Sequence, residues 1–122
     1  MDSPGKLTPW FESKQHEGLY FAGQITGVEG YVESASSGFT AGVNLANRIN
    51  GKPPVDFGAV TAIGSLGHYV SEYNGSDFQP MNVTFGIMDP LPRPPKNKRE
   101  RYARIAERAL ARIDELINEG VI

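Results

Sequence analysis

The sequence predicts an α/β fold in which helices dominate, and three observations carry this prediction. A short uncharged apolar run, residues 19–22, is typical of a strand that is buried on both faces. Three longer segments, residues 32–50, 61–73 and 98–119, have the apolar spacing and end signals of helices. A glycine-punctuated loop, residues 23–31, joins the strand to the first helix. Since one strand cannot form a sheet by itself, the sequence also predicts neighbouring strands that this chain does not supply.

Composition excludes several classes of function. The chain has 122 residues and a net charge of -2, so it carries no global attraction to nucleic acid or to an anionic membrane. It has no Cys, which excludes disulfides, thiolate catalysis and Cys-rich zinc sites in this chain. Its two His residues lack ligand spacing, and no apolar run reaches the roughly 20 residues that span a bilayer. We therefore expect a cytoplasmic protein without a metal site or a membrane partner.

The first helix, residues 32–50, has an unusual face. Small residues recur along it every four positions, at Ser34, Gly38, Gly42 and Ala46. Glycine in a helix interior costs about 1 kcal/mol relative to alanine, so we expect another backbone or a ligand to approach this row closely. The neighbouring apolar positions are expected to bury against a sheet, and they are Val32, Ala35, Phe39, Val43 and Ile49.

The other two helices have clear boundaries. Thr61 is a cap for the second helix, and Gly120 ends the third. The apolar stripe of the third helix consists of Tyr102, Ile105, Ala106, Ala109, Ile113, Leu116 and Ile117. Positive charge concentrates around that helix, at Lys96, Lys98, Arg99, Arg101, Arg104, Arg108 and Arg112. A solvated helix face is the favoured interpretation of these cations, and contact with an RNA backbone is the alternative.

The loop at residues 23–31 is the candidate site. A buried strand, a glycine-rich turn and a helix N-terminus together can bind an anion or a dinucleotide. Glycine lets the backbone approach a ligand without interference from Cβ, and the helix start offers unpaired N–H groups. The pattern alone leaves two alternatives open, ligand binding and a turn that is merely structural.

The residues themselves carry a resemblance. Residues 19–42, LYFAGQITGVEGYVESASSGFTAG, resemble the flavin-contacting segment of FAD-dependent tRNA-modifying flavoproteins. Residues 27–34, 61–64 and 78–83 resemble the branch that uses methylenetetrahydrofolate. Over nearly its whole length the chain thus resembles the C-terminal portion of the folate- and FAD-dependent tRNA (uracil-5-)-methyltransferase family.

This resemblance implies a fold and a set of cofactors. Residues 1–95 would be the C-terminal part of an FAD/NAD(P)-binding Rossmann-type domain, and residues 96–122 an amphipathic helix. In the family, FAD reduced by NAD(P)H transfers the methylene of methylenetetrahydrofolate to C5 of the T-loop uridine of tRNA. The resemblance implies flavin contacts at Gly23, Gln24, Ile25, Thr26, Gly27, Gly30, Tyr31 and Val32. Gln24 would hold a ribityl hydroxyl, and the helix start would face the flavin pyrimidine. No catalytic or metal-binding residue is assigned.

Two departures from the family limit the expected activity. The chain has neither the GxGxxG turn that cradles the FAD pyrophosphate nor the cysteine nucleophile that attacks uracil. We therefore expect the chain alone to be inactive, and to pair with a missing N-terminal half of the flavoprotein or with a second copy of itself. The alternatives are a non-catalytic interaction module and a part of the related flavoprotein that modifies wobble uridine in tRNA.

Individual residues near the loop have ordinary interpretations too. Glu29 and Glu33 are expected to complement the helix dipole rather than to act as acids or bases. Tyr31 is either a ring that stacks on flavin or folate, or a packing aromatic. His68 is expected to be a satisfied or partly exposed histidine rather than a catalytic base.

Overall fold

The structure is a computed structural model that describes residues 1 to 122, and it contains three α-helices. Helix α1 spans Tyr31–Ile49, α2 spans Ala62–Glu72 and α3 spans Lys98–Asn118. Single-turn 3-10 helices lie in the connections at Gln24–Thr26 and Phe85–Ile87. Each α-helix begins and ends within one residue of its predicted boundary. The predicted Thr61 cap is confirmed, because its hydroxyl accepts a hydrogen bond from the Gly64 N–H at 2.9 Å.

The predicted strand at residues 19–22 is wrong. Tyr20 forms one antiparallel bridge to Glu12, and the chain continues no ladder from it. Leu19 is 44% exposed, so the run is not buried on both faces. The chain holds only three isolated bridges and no sheet, so the strand half of the predicted α/β class is not observed. An apolar run reports burial, whereas a strand also needs partners for its backbone groups.

The core consists of two small clusters. The larger one lies between α1, α2 and the first 28 residues, and its buried members are Leu7, Phe11, Val28, Ala41, Leu66 and Val70. The smaller one fixes the end of α3, with Leu116 against Val55 and Phe57. Residues 1–18 thus contribute to the core, through Leu7 and Phe11.

Helix α1 packs with the opposite face from the one that the sequence predicts. Its buried residues are mostly polar, namely Ser37, Thr40, Ala41, Asn44 and Asn47. Most of the predicted apolar face is exposed, with Val32 77%, Phe39 54% and Ile49 76% exposed, although Val43 is half-buried and the Phe39 ring contacts Phe57. The predicted close approach to the small residues is also absent within this chain, because a Cβ added at Gly38 or Gly42 would meet no atom within 4 Å. We call the exposed row Val32, Ala35, Phe39, Gly42, Ala46 and Ile49 the α1 stripe.

Candidate functional site

The glycine-punctuated loop precedes α1 and is held from two directions. The Gly23 N–H donates a hydrogen bond to Ser37 Oγ at 2.7 Å, which ties the loop to the buried face of α1. The Thr26 side chain is fully buried, and its hydroxyl donates to the Gly23 carbonyl at 2.7 Å. The Ser3 hydroxyl donates to the Thr26 carbonyl at 2.5 Å. The N-terminal segment and α1 therefore fix the first half of the loop between them.

The second half of the loop pairs with a distant segment. Val28 is fully buried and forms a parallel bridge to Met81. The Glu29 N–H donates to the Met81 carbonyl, and the Met81 N–H donates to the Gly27 carbonyl, both at 2.9 Å. The Asn82 amide donates to the Glu29 carbonyl at 2.6 Å. Residues 81 and 82 therefore position the loop just before α1 begins.

Two glycines of the loop are required by the fold itself. Gly27 and Gly30 have φ values of 106° and 110°, a region that side chains disfavour. A Cβ at Gly27 would collide with the ring of Phe78, and one at Gly30 would collide with the Glu33 carboxylate. The fold alone therefore explains why these two positions are glycine, and contact with a ligand would be an additional role.

The predicted site residues divide into an inward and an outward set. Thr26 and Gly27 are buried beneath the loop. Gln24 is exposed, and Ile25, Tyr31 and Val32 are 55%, 97% and 77% exposed. Tyr31 is thus not a packing aromatic in this chain. The loop presents its outward side chains on an open surface, since the larger cavities are lined by other segments.

The start of α1 offers hydrogen-bond donors to a ligand. Its cap, Gly30, provides no side-chain hydrogen bond, so the first-turn N–H groups of residues 31–33 have no capping partner. These groups and the helix dipole place partial positive charge there. Glu33 lies in this first turn, where a carboxylate complements the dipole, as the sequence suggests. Such an end can stabilise the electron-rich edge of a planar anion.

His68 lies outside this site and is fully partnered. Its Nε2 is 2.9 Å from both carboxylate oxygens of Asp56, and its Nδ1 is 3.0 Å from Glu72. Partial burial by itself would lower the pKa of His68, but hydrogen bonds to Glu72 and Asp56 outweigh it and raise the pKa above its usual value. His68 therefore links α2 to the segment that precedes it, as a satisfied histidine.

Four residues that hold the loop received no role from the sequence: Ser3, Ser37, Phe78 and Asn82. Ser3, Ser37 and Asn82 each form a hydrogen bond with a loop residue that lies between 14 and 53 positions away in the sequence, so no local pattern marks them. No group of three or more His, Asp or Glu side chains is arranged to hold a metal ion. None of the helices has the length and apolar character that a bilayer span requires.

Comparison with known proteins shows which proteins the chain is similar to. The family model described as glucose inhibited division protein A matches residues 2–53, which include the loop and α1. A solved structure of GidA from Aquifex aeolicus, in its form II crystal, is 33% identical and aligns with a TM-score of 0.48 over 58% of this chain and 13% of that chain. Over the residues that the family model matches, the chain is similar to the glucose inhibited division protein A family.

Relatives that match most of the chain carry a more specific name, methylenetetrahydrofolate--tRNA-(uracil-5-)-methyltransferase TrmFO. The protein from Lactococcus lactis subsp. cremoris strain MG1363 is 50% identical over 98% of this chain. Those from Streptococcus pyogenes serotype M4 and Enterococcus faecalis are 54% and 49% identical over 93% and 90% of it. The chain covers 27%, 26% and 25% of these three relatives, so it spans about a quarter of their length.

Proposed function

We propose that this chain is the flavin-contacting segment of a cytoplasmic tRNA methyltransferase that methylates C5 of the T-loop uridine. The observation that carries the proposal is the 50% identity to a TrmFO methyltransferase over 98% of the chain, including the whole loop. The cofactor is FAD, with methylenetetrahydrofolate and NAD(P)H as co-substrates. FAD, reduced by NAD(P)H, supplies the reducing equivalents that turn the methylene carbon into a methyl group.

The outward half of the loop fits a flavin. Gln24 lies exposed beside Gly23, whose surroundings would leave even a Cβ without a contact within 4 Å, so a ribityl chain can approach the backbone there. The amide of Gln24 can hold a ribityl hydroxyl. Tyr31 presents a free ring for stacking, and the first-turn N–H groups of α1 donate to the pyrimidine edge.

The rest of the flavoprotein completes the site in this proposal. The chain has no Cys to attack uracil and no GxGxxG turn for the pyrophosphate, and its candidate site is an open surface. The α1 stripe supports docking of a further part of the protein, because its large apolar side chains are mostly exposed and only Phe39 has an aromatic contact, with Phe57. The relatives are about four times as long as the matched region, so the remainder of such a protein is long enough to supply the cysteine and the pyrophosphate-binding turn.

Flavin binding tests the proposal directly. The chain, alone and mixed with the complementary remainder of the Lactococcus lactis relative, is titrated with FAD by calorimetry and by flavin absorbance. Gln24→Ala and Tyr31→Ala remove exposed side chains that the fold does not need, and each is expected to weaken binding about tenfold. Leu110→Ala on α3 is the matched control, since Leu110 is 66% exposed and lies outside the loop. Absence of FAD binding in both preparations, or an equal loss in the control, would contradict the assignment.

Product analysis separates the rival functions. Digested tRNA from the mixture is expected to contain 5-methyluridine when folate, FAD and NAD(P)H are supplied. A modified wobble uridine instead would move the chain to the related flavoprotein. Tight FAD binding without any nucleoside product in a mixture that is fully assembled would favour a non-catalytic interaction module.

A further inference from the structure

Positive charge is segregated onto one segment of the molecule. Residues 93–112 hold eight of the chain's 12 Lys and Arg residues but only two of its 14 acidic residues. The segment therefore carries a formal charge of +6 in a chain whose net charge is -2. Such a local excess creates an attractive potential for polyanions even though the whole chain is acidic.

Six of these eight cations have no carboxylate partner, and two of the six, Arg101 and Arg108, donate to backbone carbonyls instead. The ion pairs of this segment join Arg104 to Glu100 and Arg112 to Glu115. The exposed residues Arg93, Lys96, Lys98 and Arg99 have none. Lys98 and Arg99 also lie in the first turn of α3, where positive charge opposes the helix dipole. The cost at Lys98 is offset in part by its contact with the Tyr102 ring, whereas Arg99 has no partner in this chain, so a ligand is the better explanation for the group as a whole.

An aromatic groove adjoins these cations. The rings of Phe85 and Tyr102 are stacked, with centroids 4.1 Å apart and an interplanar angle of 11°. Lys98 Nζ and Arg101 Cζ lie 5.5 Å and 5.7 Å from the centre of the Tyr102 ring. The stack borders a mostly apolar cavity of about 420 Å³, which can admit one nucleobase. Phe85 is 40% exposed, so the groove opens to solvent.

We propose that this basic aromatic surface, formed by Phe85, Lys96, Lys98, Arg99 and Tyr102, binds RNA. Phosphates contact the unpaired cations and the first turn of α3, and an unstacked base enters the groove against the aromatic pair. An acidic peptide would satisfy the cations but would leave the stacked rings unused. The inference deepens the proposed function and rests on it in one respect, namely that the natural RNA is the tRNA substrate.

The test is fluorescence anisotropy of a tRNA T-arm hairpin with the full chain, from about 50 mM to about 200 mM salt. The triple variant Lys96→Gln, Lys98→Gln and Arg99→Gln is expected to reduce the slope of log K against log salt by about two to three and to weaken binding at least tenfold. The control triple Lys6→Gln, Lys14→Gln and Lys52→Gln makes the same change in net charge at exposed positions elsewhere. It is expected to leave the slope unchanged.

A second pair of variants tests the groove. Tyr102→Leu is expected to weaken binding by about tenfold, because stacking on an aromatic ring contributes about 1–3 kcal/mol per base, whereas Tyr102→Phe retains affinity. Circular dichroism shows whether each variant keeps its helices. Failure of the hairpin to bind, an equal loss in the control triple, or unchanged affinity in a folded Tyr102→Leu protein would overturn the inference. Calorimetry with FAD is independent of these measurements, so failure of one proposal does not imply failure of the other.

Discussion

Gly38 and Gly42, in the middle of α1, allow one substitution with opposite effects on the isolated chain and on its assembly. A Cβ at either position meets nothing within 4 Å, so alanine adds no steric cost in this chain. Alanine is favoured over glycine in a helix interior by about 1 kcal/mol per position. The double variant Gly38→Ala and Gly42→Ala should therefore raise the free energy of unfolding by about 2 kcal/mol. In an assembly that brings another backbone against this row, the same methyl groups should obstruct docking.

Two assays separate the effects. Urea denaturation followed by far-UV circular dichroism should show a midpoint about 1 M higher, given slopes of about 1–3 kcal/mol/M for small proteins. Assembly with the complementary part of the Lactococcus lactis relative, followed by retained FAD, should decrease. Gly64→Ala is the matched control, because its Cβ would collide with the Gly58 backbone and should lower stability. A double variant that destabilises the chain, or that assembles as well as the parent, would refute the reasoning.

Two further perturbations concern groups that hold α1 and α2 in place. Asn44 is 1% exposed, and its side-chain amide forms hydrogen bonds with both the N–H and the carbonyl of buried Val55. Asn44→Ala should therefore lower the free energy of unfolding, followed by urea denaturation, by about 3 kcal/mol. The control Asn74→Ala, at an exposed position, should leave that free energy within about 0.5 kcal/mol of the parent's. The raised pKa of His68 means that its protonated form stabilises the fold. This contribution is complete below the unfolded value of about 6.5 and is lost as pH rises through the higher folded value. The parent should therefore have a higher urea midpoint at about pH 6 than at about pH 8.5, and this difference should shrink in His68→Gln. If the variant keeps the parent's pH dependence, His68 is not its source.

The three helices could be predicted because their signals are local. Apolar spacing, the Thr61 cap and the Gly120 stop all lie within or next to the segments that they define. The strand prediction failed because its partners would have to come from elsewhere. At the candidate site, the glycine loop was visible in the sequence, but its supports were not. Ser37 and Asn82 act across 14 and 53 residues, and only folding brings them to the loop.

Helix α1 is where local pattern and observed packing disagree most, and the disagreement has a physical basis. Its polar side chains can be buried at little cost because they bond to the helix itself: Ser37 donates to the Ser34 carbonyl, Thr40 to Ser36 and Asn44 to Thr40. The apolar side chains of the α1 stripe, by contrast, are exposed to water. Burying them would stabilise the protein by about 25 cal/mol for each Å² of apolar surface. Two interior glycines add a further loss that no contact in this chain offsets. Both losses of stability fall on the same face of one helix, and a surface that packs against this face would offset them. In our proposal the remainder of the flavoprotein supplies that surface.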